Sequence, residues 1–103
     1  MNVITDTTSY AVSWRDSDLR FVGHARLMPD GLRLAGGGPE GREQVRTLLY
    51  DDLTNVDIVR LKSHRELALE LGDELLMVSS LDRPGSLGEL AERLRKLTDT
   101  QRR

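Results

Sequence analysis

Between Leu19 and Leu27 the sequence alternates with a period of two. Leu19, Phe21, Gly23, Ala25 and Leu27 fall on one face of an extended chain, and Arg20, His24 and Arg26 fall on the other. Successive side chains of a strand point to opposite faces, so this stretch reads as a half-buried β-strand. Met28-Pro29-Asp30-Gly31 then turns the chain. Proline presets φ for a turn and glycine supplies the positive φ that returns it, so Leu32 and Leu34 are expected to pair back as the second arm of a hairpin. A hairpin with one apolar face must bury that face against further layers, and the rest of the chain has to provide them.

Tyr10, Val12 and Trp14 alternate with Ala11 and Ser13, and Arg15-Asp16-Ser17-Asp18 supplies the turn that follows. Asn55 to Leu61, with β-branched Val56, Ile58 and Val59, reads as a strand. Leu67, Leu69 and Leu71 repeat the alternation before Gly72-Asp73 turns into Leu75 to Ser79, a second hairpin. Glu43 to Leu53 is ambiguous. Val45, Leu48, Leu49 and Leu53 fit a helical stripe, whereas Val45, Thr47 and Leu49 fit a strand that ends in a Tyr50-Asp51-Asp52 corner. After the break at Asp82-Arg83-Pro84-Gly85, Ser86-Leu87-Gly88-Glu89 has the spacing of a capping box. Leu87, Leu90, Ala91, Leu94 and Leu97 form one apolar stripe, with Glu89, Glu92, Arg93, Arg95 and Lys96 outside it, which predicts an amphipathic helix lying on the strands. The expected layout is a flexible N-terminus at residues 1–8, strands within 9–80, a closing helix at 86–99 and a frayed tail at 100–103.

A chain of 103 residues fits one domain with one core. It has no cysteine, which removes disulfides, thiolate nucleophiles and Cys-based zinc sites together. Met1 to Asp6 shows no basic region or apolar run of signal-peptide length, and the expectation is a cytoplasmic protein. Net charge is −2 with acids and bases interspersed, and aromatics are 4% of residues. Neither the basic footprint nor the aromatic platforms of a nucleic-acid binder are visible, and no nucleic-acid partner is expected. Arg93 to Arg103 is locally basic and reads as a solvated helix end, where cations suit the helix dipole.

Three segments carry a resemblance. Gly23-His24-Ala25-Arg26-Leu27, Gly31-Leu32-Arg33-Leu34 and Leu48-Leu49-Tyr50-Asp51-Asp52-Leu53-Thr54-Asn55-Val56 resemble bacterial pleckstrin-homology-like and GRAM-type domains. Leu87-Gly88-Glu89-Leu90-Ala91-Glu92-Arg93-Leu94 is similar to that family's closing helix. The resemblance spans nearly the whole chain and implies a mainly β fold with one C-terminal α-helix. In that fold a seven-strand bent antiparallel sandwich, or open barrel, is capped by the amphipathic helix. Two departures matter. The tryptophan often found in the closing helix is absent, since the only one is Trp14. The clustered Lys and Arg of the phosphoinositide signature are also missing, because Arg15-Asp16-Ser17-Asp18 carries one base among two acids. Specific phosphoinositide binding is not carried over.

Gly36-x-Gly38-x-x-Gly41 matches a dinucleotide fingerprint by spelling and follows a predicted strand. Antiparallel hairpins do not build the crossovers a nucleotide fold needs, and Arg42-Glu43 stands where a P-loop places its lysine and hydroxyl, so a flexible glycine loop is the better account. His24 and His64, the only histidines, would need folding to bring them to Asp51 or Asp52 before a metal could bind. His24 suits the polar face of its strand and His64 a polar turn. No Ser-His-Asp arrangement or nucleophile elbow is visible. No catalytic, cofactor-binding or metal residue is assigned, and no cofactor is expected. The expected function is a non-catalytic protein-binding or adaptor domain using strand edges and the groove beside the helix. The alternatives are a self-associating structural module, or a small-molecule or nucleotide binder through the Gly36–Gly41 loop.

Overall fold

The structure is a computed structural model that describes residues 9–16, 18–83 and 85–101. The N-terminus expected to be flexible, residues 1–8, lies outside the described residues, as do Ser17, Pro84 and the last two residues of the tail. Seven strands and one helix follow in order: β1 (Ser9–Asp16), β2 (Leu19–Leu27), β3 (Gly31–Gly37), β4 (Glu43–Leu49), β5 (Asn55–Arg60), β6 (Arg65–Leu71), β7 (Glu74–Ser80) and α1 (Ser86–Gln101). They form one sheet in the order β4-β3-β2-β1-β7-β6-β5, with every neighbouring pair antiparallel. The predicted mainly β architecture closed by a C-terminal helix is the one observed.

The period-two positions form the core. Val12 and Trp14 of β1, Phe21 and Ala25 of β2, Leu32 and Leu34 of β3, Leu67 and Leu69 of β6, and Leu76 and Val78 of β7 are buried in one cluster. The sheet therefore curls until its two halves share an interior. Trp14 and Phe21, paired across β1 and β2, stack with ring centroids 5.8 Å apart. Leu87, Leu90, Ala91 and Leu94 bring α1 into the same core, against β5, β6, β7 and the short 3₁₀ turn Tyr50–Asp52. Burying each of those leucines contributes about 1.5–3 kcal/mol, which holds the helix in place.

The ambiguous Glu43–Leu53 segment is a strand followed by a corner, but its faces are the reverse of those that Val45, Thr47 and Leu49 imply. Val45, Thr47 and Leu49 are exposed, while Leu48 is buried and Gln44 and Arg46 point inward with it. The leucines misled because the inward set of this strand is mostly polar. Trp14 Nε1 donates to Gln44 Oε1 at 2.7 Å, Gln44 Nε2 donates to Asp16 Oδ2 at 2.8 Å, and Arg46 bridges Asp16 and Glu74. These partners close the end of the sheet away from α1. At the helix end, fully buried Tyr50 donates its hydroxyl to the Met28 carbonyl at 2.6 Å.

Two glycine expectations change, and a third glycine gains a reason. Gly36 and Gly37 belong to β3, and the loop after them is a tight 3₁₀ turn closed by the Gly38 N–H donating to the Arg42 carbonyl at 2.7 Å, so it is not a formless loop. Gly31 does not turn the chain through a positive φ. It is required because a Cβ there would stand 2.6 Å from the Leu48 carbonyl oxygen. Gly23 and Gly36 face each other across β2 and β3, where a Cβ on Gly23 would lie 2.0 Å from the Ala35 carbonyl oxygen; this close approach is part of the curl. The capping box is also displaced. The Glu89 N–H donates to the Gly85 carbonyl, so Gly85 occupies the cap position and Ser86 is the first helical residue. The helix continues through Gln101, past the predicted end at residue 99.

Candidate functional site

An open sheet has two edges, and here they differ. In an antiparallel pair, alternate residues exchange backbone bonds with the neighbour and the others turn N–H and C=O outward. On β5 the Leu61 N–H bonds to the His64 carbonyl, which fixes Val56 and Ile58 as outward-turned residues. Both are engaged. Arg95 Nε donates to the Val56 carbonyl at 3.1 Å, and the Ile58 N–H donates to Asp57 Oδ1 at 2.9 Å. Arg95 is therefore a clamp on the β5 edge, where the sequence suggested a solvated helix end. A shallow groove between β5 and α1, lined by Val56, Arg95 and Thr98 among others, has its main-chain acceptor occupied by that clamp.

On β4 the bonded pairs are Gly38 with Arg42 and Asp30 with Tyr50, so Val45 and Thr47 turn their N–H and C=O toward the free edge. No bond within the described residues takes them. Beside this edge runs a groove of about 460 Å³, lined by Thr47, Leu49, Thr54 and Leu71 and by the charged Arg46, Asp51, Asp52 and Glu74 among others. Val45 is 61% exposed and Leu49 42%, so the edge presents both unpaired backbone and apolar side chains, the two ingredients of strand addition. One device limits indiscriminate pairing here. Arg46 points its charge inward, held there by Asp16 and Glu74.

A larger cleft of about 830 Å³ opens on the outer surface, where β1 and β7 part after the Trp14–Val78 pair. Ser13, Arg15, Arg20, His64, Glu66, Met77 and Ser79 line it. Arg20 Nη2 donates to Ser13 Oγ at 3.1 Å, while Glu66 Oε2 takes Ser79 Oγ and His64 Nε2, each at 2.9 Å. The histidine hydrogen bond, aided by Ser79 and the charges of His64 and Arg15, holds the Glu66 carboxyl below its ordinary range against the opposing effect of burial. Ser63 Oγ lies 3.3 Å from His64 Nδ1, so Ser63, His64 and Glu66 form a chain that the sequence did not reveal. It stands on an exposed turn, in water, where hydroxyl activation and oxyanion stabilisation are weak.

The other candidates disperse. His24 lies on the outer face of β2 in a row with Ala11 and Ala35, His64 lies in the β5–β6 turn, and Asp51 and Asp52 lie in the 3₁₀ turn after β4. Among the described residues no three His, Asp or Glu side chains come close enough to hold a metal. Gly36, Gly38 and Gly41 lead into strand β4, where a dinucleotide fingerprint leads into a helix. No helix among the described residues is long and apolar enough to cross a membrane. No protein-family model matches the chain, and no curated protein matches it.

Proposed function

We propose that this chain is a non-catalytic adaptor domain that recognises an extended segment of a protein partner by strand addition to β4. The contrast between its edges carries the reading. On β5 one outward acceptor and one outward donor, the Val56 carbonyl and the Ile58 N–H, are taken by Arg95 and Asp57, whereas no bond within the described residues takes those of Val45 and Thr47, and Thr47 lines an open groove. Main-chain pairing would supply affinity, and the exposed Val45 and Leu49 would select side chains of the added strand. The resemblance to bacterial pleckstrin-homology-like domains agrees with a binding module, and the acidic Asp16 and Asp18 near the β1–β2 turn agree with a partner other than a phosphoinositide.

A second copy of the chain is the alternative occupant, since β4 could pair with β4 about a two-fold axis. Amide exchange of Val45 and Thr47, read by NMR over a concentration series, separates the two. Protection that grows with protein concentration supports self-association. Protection that appears only with a bound peptide supports the adaptor. A peptide that binds while leaving both amides unprotected overturns strand addition at β4.

A further inference from the structure

The outer face of the sheet assembles a charge that the sequence disperses. Ser9, Arg26, Arg33 and Thr47 are successive cross-strand partners on β1, β2, β3 and β4, so they form one row with side chains on the exposed face. Arg26 and Arg33 are direct partners within it, and Arg15 and Arg20 are direct partners further along the same face. Like charges placed opposite each other across strands destabilise a sheet, and an anion bound between them would offset that cost. The second pair has Glu66 nearby in its cleft. The first has no carboxylate bridging it among the described residues, and it shares a shallow surface of about 380 Å³ with Ser9, His24 and Ala35. This is a positive field on a protein of net charge −2.

We infer that the strand received by β4 is acidic on its outer face, with a carboxylate in register with Thr47 that the Arg33 guanidinium binds and the adjacent Arg26 charge favours. The inference rests on the strand-addition reading and adds the chemistry of the partner. Adjacent strands lie about 4.8 Å apart, so the residue opposite Thr47 sits two strands from Arg33, roughly 10 Å, a gap that an arginine and a glutamate span together over a small threonine. Residues two places to either side of that carboxylate meet Val45 and Leu49 and are apolar. The added strand thus alternates outward apolar, acidic, apolar at every second position. Guanidinium and carboxylate geometry favours bidentate pairing, which gives register as well as affinity.

The test is selection from a random heptapeptide library displayed on phage, run on the intact chain, on Thr47→Pro and on Arg26→Glu/Arg33→Glu. Proline removes the outward N–H that strand addition needs, on an edge where it is tolerated. Expected are peptides with an acidic residue flanked at two-residue spacing by apolar ones. Their affinity should fall at least about tenfold in Arg26→Glu/Arg33→Glu, with selection there turning toward basic peptides. Protection of the Val45 and Thr47 amides of the unmodified chain by the selected peptide keeps the experiment decisive should Thr47→Pro fold poorly. Peptides that protect these amides without an acidic preference overturn the inference and leave strand addition standing. Peptides that leave the amides unprotected, or no enriched peptides at all, overturn strand addition itself. Equal, Arg33-dependent sedimentation with phosphatidylserine-rich vesicles overturns the acidic-strand assignment in favour of a lipid surface.

Discussion

Arg95 Nε donates to the Val56 carbonyl 3.1 Å away, so a helix side chain occupies a main-chain acceptor that a sheet edge would otherwise offer to another chain. Asp57 does the same for the adjacent donor by accepting from the Ile58 N–H. Together they occupy one acceptor and one donor of the β5 edge, and this difference from β4 depends on two side chains. Arg95→Ala/Asp57→Ala is expected to open the second edge. Light scattering should then give a larger average mass than the parent protein at equal concentration, with the excess lost on dilution. An unchanged mass would mean that the bulk of α1, not its arginine, shields β5.

The directly opposed Arg26 and Arg33 are expected to cost stability. Arg33→Glu replaces a like-charge pair by an opposite-charge pair at directly facing positions. It should raise stability by about 0.2–1 kcal/mol, seen as a higher urea midpoint at low salt that converges with the parent at high salt. A lower midpoint would show that the two guanidiniums do not repel in the folded protein.

Two glycines predict opposite responses to the same methyl group. Gly23→Ala places a Cβ 2.0 Å from a backbone oxygen in the middle of the sheet, where neither partner can withdraw. A loss of about 3 kcal/mol or more is expected, seen as a large fall in the urea midpoint or failure to fold. Gly88→Ala in the first turn of α1 meets nothing within 4 Å and should gain up to about 1 kcal/mol from helix propensity, seen as a higher midpoint.

Glu66 makes stability depend on acid. Its folded pKa is lowered by the His64 hydrogen bond first, then by Ser79, His64 charge and Arg15, against burial. A depressed carboxyl pKa contributes stability that is present above the unfolded value and is lost as pH falls through the folded value. The contribution therefore disappears below the ordinary carboxylate value of 4.5, and the histidine is its main source. In His64→Ala the Glu66 carboxyl should titrate closer to 4.5 by NMR, and the melting temperature should fall less as the pH is taken down through and below that value. An unmoved titration would assign the depression to Ser79 and Arg15.

Much of the architecture was legible because it is written in periods. The strict alternation from Leu19 to Leu27, the hairpin through Gly72-Asp73 and the Leu87-to-Leu97 stripe each specify an element and its buried face through local geometry alone. Where the inward residues are polar, that code fails. Gln44 and Arg46 face inward on β4 because Trp14, Asp16 and Glu74, distant in sequence, satisfy them, so the strand's exposed valine and leucine looked like its core face.

The sequence by itself determined every strand except β4, the closing helix and most of the core, because hydrophobic period and turn chemistry are properties of neighbouring residues. Tertiary structure alone decided which edge is open and which face is charged. Strand order puts β4 and β5 at the ends of the sheet, α1 brings Arg95 onto β5, and cross-strand register lines Arg26 against Arg33 beside Thr47. Each of these relations joins residues through the pairing of strands, and pairing between distant segments is fixed only when the whole sheet closes on its core.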